Sequence, residues 1–322
     1  MRRQTTCSTI VVGLFLLVSG PLVAQERTLV IPTVFDEGRF IVTPVTIDDE
    51  TIRLIADTAG GTVMFQETVD RLKLKATTYA VDSKLRVKLP ALLHDSWIPG
   101  SLEPEGTLVV VPKKKQPRMV HLADNLDGML GQSWFAGKSW VLDYPARRMT
   151  VYRKRVLRIP PGAKRLELGF LRDENGVRQV NFPRITITID GVPHDMLLET
   201  GATGFISPQA RQELGEERTG RRAISFIVQS VFDQWRKKHP DWRVVEDADL
   251  ETNGPMIEVP KITIAGFDVA PVWFLVRKTA NYHDFTSKWT DKRVDGSIGG
   301  NALRDLRLLL EYDKATAWVE KP

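Results

Sequence analysis

Leu54-Ile55-Ala56-Asp57-Thr58-Ala59-Gly60 in the first half of the chain and Leu197-Leu198-Glu199-Thr200-Gly201-Ala202 in the second are two copies of one pattern: an apolar run, an acid, a threonine and small residues. Each follows a strand-like stretch, Val45-Thr46-Ile47 in the first copy and Ile185-Thr186-Ile187-Thr188-Ile189, ahead of Asp190-Gly191, in the second. The repeat continues downstream with Asp127-Gly128-Met129-Leu130-Gly131 against Asp295-Gly296-Ser297-Ile298-Gly299. It closes with Val141-Leu142-Asp143-Tyr144 against Leu309-Leu310-Glu311-Tyr312. Four landmarks in the same order, twice, describe a duplicated lobe. A carboxyl group at the same point of each copy matters chemically. Two acids facing each other across a lobe interface can share one proton and activate a water.

The order apolar-apolar-acid-Thr-Gly, followed later by apolar-apolar-Gly, resembles the aspartic peptidases, either two-lobed like pepsin or related to the single-lobed retropepsins. Asp57 to Gly61, Asp127 to Gly131, Leu197 to Gly204 and Asp295 to Gly300 carry the likeness, and the order of elements between them extends it over most of the chain. The resemblance implies a mainly β fold of two duplicated β-barrel lobes and an endopeptidase acting on a peptide or protein substrate. It implies catalytic acids at Asp57 and Glu199, supporting active-site loops at Thr58, Ala59, Gly60, Thr200 and Gly201, and neither a metal nor an organic cofactor. In that family the threonines lock the two loops by hydrogen bonds, a role that falls here to Thr58 and Thr200.

Two residues depart from the family pattern. Ala59 stands where the first copy usually has Gly, and Glu199 stands where the second usually has Asp. One extra methylene displaces a carboxylate by about 1–1.5 Å unless the backbone retreats, and misplacement of about 1 Å can cost on the order of 100-fold in rate. A loop set back to suit Glu leaves a working pair; a loop that has not moved leaves a catalytically silent protein that keeps the peptide cleft.

The first 24 residues differ in character from the rest. Arg2 and Arg3 form a basic head, Ile10 to Val18 is almost wholly apolar, and Pro21-Leu22-Val23-Ala24 ends on a small residue. This is the pattern of a secretory signal peptide cleaved after Ala24, and its apolar run is short of the roughly 20 residues a membrane span needs. Cys7 is the only cysteine and precedes the apolar run, so the mature chain has none. Disulfides, cysteine nucleophiles and cysteine-ligated zinc are thereby excluded for it. Pepsins of animals and fungi usually carry disulfides, so the chain looks more like a bacterial exported relative, periplasmic or secreted. Loss of the basic head lowers the formal charge from +5 to +3. The densest basic run, Lys113-Lys114-Lys115, reads as a solvated loop tip, and no aromatic-basic motif for nucleic acid accompanies it.

The expected organisation is a signal peptide over 1–24, one retropepsin-like lobe over 25–155 and a second over 156–322, the boundary marked by Pro160-Pro161-Gly162. With two lobes in one chain, a monomer suffices. Strands are expected at 28–35, 39–47, 51–56, 107–111, 119–122, 139–144 and 149–153 in lobe one. In lobe two they are expected at 165–170, 179–189, 196–199, 256–264, 269–276, 307–312 and 316–319. A short helix is expected at Gly131–Ala136. Ile224, Ile227, Val228, Val231, Phe232 and Trp235 fall at helical spacing, with Pro240 as the stop. They predict an inserted helix in lobe two whose apolar stripe packs on its own lobe. His94 to Gly106 is the candidate cover for the cleft.

Other chemistries find no support. The five histidines show no metal-ligand spacing, Gly60-Gly61 and Gly299-Gly300 lack the Lys-Ser or Lys-Thr of a phosphate loop, and Ser297 lacks nucleophile-elbow spacing. Asp127 and Asp295 repeat, and are expected to brace the apolar-Gly turns.

Overall fold

The computed structural model describes residues 28–80, 82–93, 106–113, 125–152, 158–215 and 220–322. The expected signal peptide, nearly all of the candidate cover, the strand expected at 119–122 and Lys114-Lys115 lie outside the described residues. Among those described, no helix is long and apolar enough to cross a membrane.

The first half of the chain contributes β1 (Thr28–Val30), β2 (Thr33–Asp36), β3 (Arg39–Val42), β4 (Leu54–Ala56), β5 (Val63–Phe65), β6 (Thr77–Thr78), β7 (Leu85–Lys88), β8 (Thr107–Val111), β9 (Gly128–Leu130), β10 (Ser139–Asp143) and β11 (Arg148–Tyr152). Its helices are α1 (Gln66–Arg71) and α2 (Gln132–Phe135). The second half contributes β12 (Lys164–Glu167), β13 (Arg184–Ile189), β14 (Val192–Leu198), β15 (Thr203–Phe205), β16 (Arg221–Ala223), β17 (Ser225–Val228), β18 (Val244–Val245) and β19 (Met256–Val259). It continues with β20 (Ile262–Ile264), β21 (Phe267–Val269), β22 (Val272–Arg277), β23 (Gly296–Ile298), β24 (Arg307–Glu311) and β25 (Thr316–Glu320). Its α-helices are α3 (Pro208–Leu214), α4 (Gln229–Lys238) and α5 (Gly300–Leu303).

These strands form a mainly β molecule of two lobes, as the repeat implies. Lobe one is an eight-stranded sheet in the order β2-β3-β4-β9-β5-β8-β7-β6. Lobe two is a nine-stranded sheet that, read from its β21 end, runs β21-β20-β13-β14-β23-β17-β22-β19-β18. From β3 and β13 onward the two orders match strand for strand. The pairing senses match too: β4–β9 and β14–β23 are parallel, β5–β8 and β17–β22 are parallel, β5–β9 and β17–β23 are antiparallel.

A third sheet joins the lobes, in the order β1-β11-β10-β24-β25-β12. At its centre the two copies of the closing landmark pair with each other antiparallel, and Val141 lies opposite Leu309, its own counterpart in the repeat. A pseudo-twofold axis therefore passes through this pair. Packed near it are Trp134, Phe135 and Trp140, with Phe135 stacking on Tyr312 of the other lobe at 6.1 Å between ring centroids.

Local chemistry explains the elements. Leu54-Ile55-Ala56 and Leu197-Leu198 are buried throughout, as central strands with parallel partners must be, hence their unbroken apolar runs. Asp190 and Gly191 both take positive φ (49° and 77°), the geometry of a two-residue hairpin turn between β13 and β14.

Two expectations are corrected. The apolar spacing from Ile224 to Trp235 merges two elements: Ser225–Val228 is the fully buried strand β17, and the helix begins only at Gln229. A buried strand reads as a continuous apolar run that periodicity cannot tell from a helix. By its pairing β17 is the counterpart of β5, so α4 is the counterpart of α1 and belongs to the repeat. The helical insertion of lobe two lies earlier, at β15-α3-β16. Its helix has a complete set of end signals: Ser207 Oγ accepts from Ala210 N at 3.2 Å, Pro208 opens the first turn, and Gly215 closes it at φ 66°. The α4 stripe does pack on its own lobe, with Val231, Phe232 and Trp235 buried and Trp235 edge-on to Phe274 at 5.7 Å. Two long strands expected at 256–264 and 269–276 are instead the four short ones β19 to β22, broken at turns.

Candidate active site

Asp57 and Glu199 leave their sheets at equivalent points. Asp57 N donates to Leu130 O and Glu199 N donates to Ile298 O, each at 3.0 Å, and these acceptors are equivalent residues of β9 and β23. Each acid's carbonyl then accepts from the residue three further on, Gly60 N at 3.2 Å and Ala202 N at 3.1 Å. The same turn is thus built twice.

The two loops lock across the axis. Thr58 N donates to Thr200 Oγ1 at 3.1 Å and Thr200 N donates to Thr58 Oγ1 at 3.2 Å. Thr58 Oγ1 in turn donates to Leu198 O at 2.5 Å, and Thr200 Oγ1 to Ala56 O at 2.8 Å. Both threonines are buried, so each of these bonds satisfies a group that water cannot reach. The device holds the ends of β4 and β14 together and fixes where the acids start.

Asp57 is buried and accepts from the backbone N–H groups of Ala59, Gly60 and Gly201, the first at 2.9 Å. Gly201 comes from the opposite lobe, and a Cβ there would lie 2.5 Å from Asp57 Cβ and 2.6 Å from its Cγ. Only a glycine allows the second loop to rest on the first acid. Ala59, at the matching place in lobe one, is half-buried. Glu199 is half-buried as well, its open side facing a cavity of about 560 Å³ bordered also by Thr203, Phe226, Arg277, Tyr282 and Phe285.

Burial pushes both carboxyls up. For Asp57 the three backbone donors work against burial without overcoming it. For Glu199 burial and then the Asp57 charge push the carboxyl up to about 7, opposed by a hydrogen bond from Ser297 and by the Arg277 guanidinium. The two acids thus feel each other's charge, and the backbone donors at Asp57 favour placing the single charge there and the proton on Glu199. Below the pair lie Tyr144 and Tyr312, the last residues of the closing landmark, whose phenols are pushed up by burial and then by the Asp57 charge.

Asp127 and Asp295 sit away from the acid pair and brace the turns. Asp127 accepts from Arg53 N at 2.8 Å, Thr68 Oγ1 at 2.7 Å and Arg71 Nη2 at 2.7 Å, tying β4 to α1. Asp295 accepts from His194 Nδ1 at 2.9 Å and His283 Nε2 at 3.0 Å. Burial works to raise the Asp295 carboxyl, and donation by the two imidazoles outweighs it. His194 and His283 are thereby structural. Among the described residues no group of three or more His, Cys, Asp and Glu side chains converges as a metal site would.

The insertion of lobe two is bolted to lobe one beside the site. Arg39, fully buried, bonds Asp36 Oδ2 at 2.8 Å and reaches across to Thr203 Oγ1 at 3.1 Å. Asp36 also accepts from Arg221 Nη2 at 2.7 Å, and Ala223 N donates to Glu37 O at 2.8 Å. The tip of the β2–β3 hairpin fits because a Cβ on Gly38 would come within 2.8 Å of Ala223 Cβ.

Sequence reading did not single out Ser297, Tyr282 or Arg277 as part of the site. Ser297 had a signal, since it departs from Met129 at the same place in the repeat. Tyr282 and Arg277 have none, because only the tertiary fold brings β22 and the turn after it against Glu199.

No family model matches the chain, and no curated protein is similar to it in sequence. Among solved structures it is similar to an aspartic proteinase from Irpex lacteus, at 10% identity and a TM-score of 0.48, covering 91% of this chain and 97% of that one. It is also similar to conglutin gamma, a basic 7S globulin from lupine seeds, at 9% identity and a TM-score of 0.46 over 92% and 96% of the two chains. The basic 7S globulin from soybean matches at 10% identity and 0.43, over 92% and 95%. These likenesses concern the course of the chain and carry nothing about its chemistry.

Proposed function

We propose that this chain is an exported aspartic-type endopeptidase whose acid pair is Asp57 and Glu199. The observation that carries the reading is the placement of two mutually sensed carboxyls at equivalent strand ends, with Thr58 and Thr200 cross-bonded between them. Asp57 enters as the ionised member and Glu199 as the protonated one. A water between them attacks the scissile carbonyl carbon, giving one proton to Asp57, while Glu199 gives its proton to the carbonyl oxygen. The tetrahedral diol then breaks its C–N bond. Asp57 returns its proton to the departing nitrogen, and Glu199 recovers one from a diol hydroxyl, so the pair ends as it began.

Activity needs Glu199 protonated and Asp57 ionised. It therefore falls as pH rises through about 7, where Glu199 loses its proton, and falls again in acid as Asp57 gains one. The basic head, apolar run and Ala24 support export to a periplasm or the exterior, with a peptide or protein as partner and a single chain sufficing. A catalytically silent peptide-binding protein is the second reading, favoured by the extra methylene of Glu199.

Digestion of a peptide library between acidic and neutral pH separates the two, with wild type, Asp57→Asn and Glu199→Asp side by side. The endopeptidase reading expects cleavage by wild type and none by Asp57→Asn. If the backbone has retreated to suit Glu, Glu199→Asp lowers the rate by roughly 100-fold. Undiminished cleavage by Asp57→Asn overturns the mechanism. A silent wild type that gains activity on Glu199→Asp establishes the second reading.

A further inference from the structure

Glu199 differs from Asp57 by more than one methylene, because its neighbour on the adjoining strand differs too. β9 sets Met129 opposite Ile55, and β23 sets Ser297 opposite Leu197, so Ser297 stands where lobe one has Met129. A Cβ on Gly60 would lie 2.0 Å from Met129 Sδ and 2.8 Å from Asp57 Oδ2, which places the thioether along the Asp57 loop. A thioether has no proton to donate. Ser297 is fully buried, its hydroxyl 3.0 Å from the hydroxyl of Tyr282, and hydrogen bonding from it works to lower the Glu199 carboxyl.

Tyr282 is itself buried and lies on a single π turn, Asn281–Phe285, between β22 and β23. Such turns are rare and appear often at functional sites. Its ring borders the same cavity as Glu199.

The direction of the chain follows from the number of protons. A serine hydroxyl has one proton and an ionised carboxylate has none to give. Whenever Glu199 is ionised, Ser297 therefore donates to it and accepts from Tyr282. Burial, and then the charge of Glu199, keep the Tyr282 phenol protonated far above its ordinary range, so it remains a donor.

We propose that Ser297 and Tyr282 are positioning residues of the acid pair: a buried donor chain, Tyr282 O–H to Ser297 Oγ and Ser297 O–H to Glu199, that anchors the longer acid on the lobe-two side. This inference rests on Asp57 and Glu199 forming the pair. Glutamate has one more side-chain torsion than aspartate, and the chain removes that freedom. It also steadies Glu199 as an anion, the form it takes once its proton has passed to the carbonyl oxygen. Other charged groups facing Glu199 are Asp57, from the loop after β4, and Arg277, from the end of β22, whose guanidinium also meets Asp249 at 2.6 Å and Glu251 at 3.5 Å.

The test uses the mature protein with 13C-labelled glutamate carboxyls, Glu199 being assigned through the signal lost in Glu199→Gln. Ser297→Ala should move the Glu199 titration upward. Tyr282→Phe, which keeps the ring and removes only the hydroxyl, should move it the same way by less, and Ser297→Cys should fall between Ser297→Ala and wild type. On any cleaved peptide, Ser297→Ala should lower kcat by about 10- to 100-fold, the worth of a hydrogen bond to a charged group, with KM little changed. A Glu199 titration identical to wild type in folded Ser297→Ala and Tyr282→Phe overturns the proposal; if Ser297→Ala does not fold, Tyr282→Phe decides alone. A wild type that cleaves nothing sinks the endopeptidase reading, and the titration still decides the donor chain.

Discussion

Glu199→Gln probes the electrostatics of the acid pair without any substrate. The side chain keeps its length, still accepts from Ser297, and can no longer ionise. In the folded protein the Glu199 carboxyl is pushed from an ordinary 4.5 up to about 7 by burial and then by Asp57. The native state thus holds this proton more tightly than the unfolded chain does. Its stabilising effect is complete below 4.5 and is lost as pH rises through about 7. At 1.36 kcal/mol per unit the loss has a ceiling of about 3 kcal/mol, and sharing of the proton with Asp57 lowers it. Wild type should therefore lose stability between about pH 5 and pH 8, by up to ~3 kcal/mol more than Glu199→Gln. Guanidinium unfolding followed by tryptophan fluorescence at several pH values reads the difference as diverging midpoints. Parallel pH dependences in the two proteins would refute the claim that Glu199 carries a strongly held proton.

Thr58→Val leaves Thr200 N and Leu198 O buried without their partner, and should destabilise the chain by roughly 2–5 kcal/mol, while Thr58→Ser should come close to wild type; thermal or chemical unfolding checks both. Arg39→Met removes a fully buried cation from Asp36, which keeps Arg221, so a loss of about 3 kcal/mol is expected. Hydrogen exchange should then rise over Thr203–Ala223, and unchanged protection there would show that the insertion is held by other means. Signal cleavage near Ala24 is expected to be the whole of maturation, because Gln25 to Thr28 leads almost directly into β1. Mass spectrometry of the exported protein should find its amino terminus near Gln25 and not far beyond residue 30.

The repeat was legible because it is written in short, buried and chemically demanding stretches. Leu54 to Gly60 and Leu197 to Ala202 must each supply a central strand, an acid and a tight turn, and few residues satisfy all three. The caps of α3 were also open to reading, since Ser207-Pro208 and Gly215 are plain start and stop signals. The fully buried strand β17 runs straight into α4, whose buried face of Val231, Phe232 and Trp235 continues its apolar residues, and no turn residue separates the two.

The amino-acid sequence alone determined the duplication, the two acids and the threonines beside them, because these rest on local order that recurs in register. Only the tertiary structure decided which elements the repeat includes, since strand pairing identifies β17 and α4 as counterparts of β5 and α1 where spacing made them an insertion. It also decided what surrounds Glu199. Ser297, Tyr282 and Arg277 come from separate strands and a turn, and distance along the chain says nothing about which of them reaches a carboxyl once the sheet has closed.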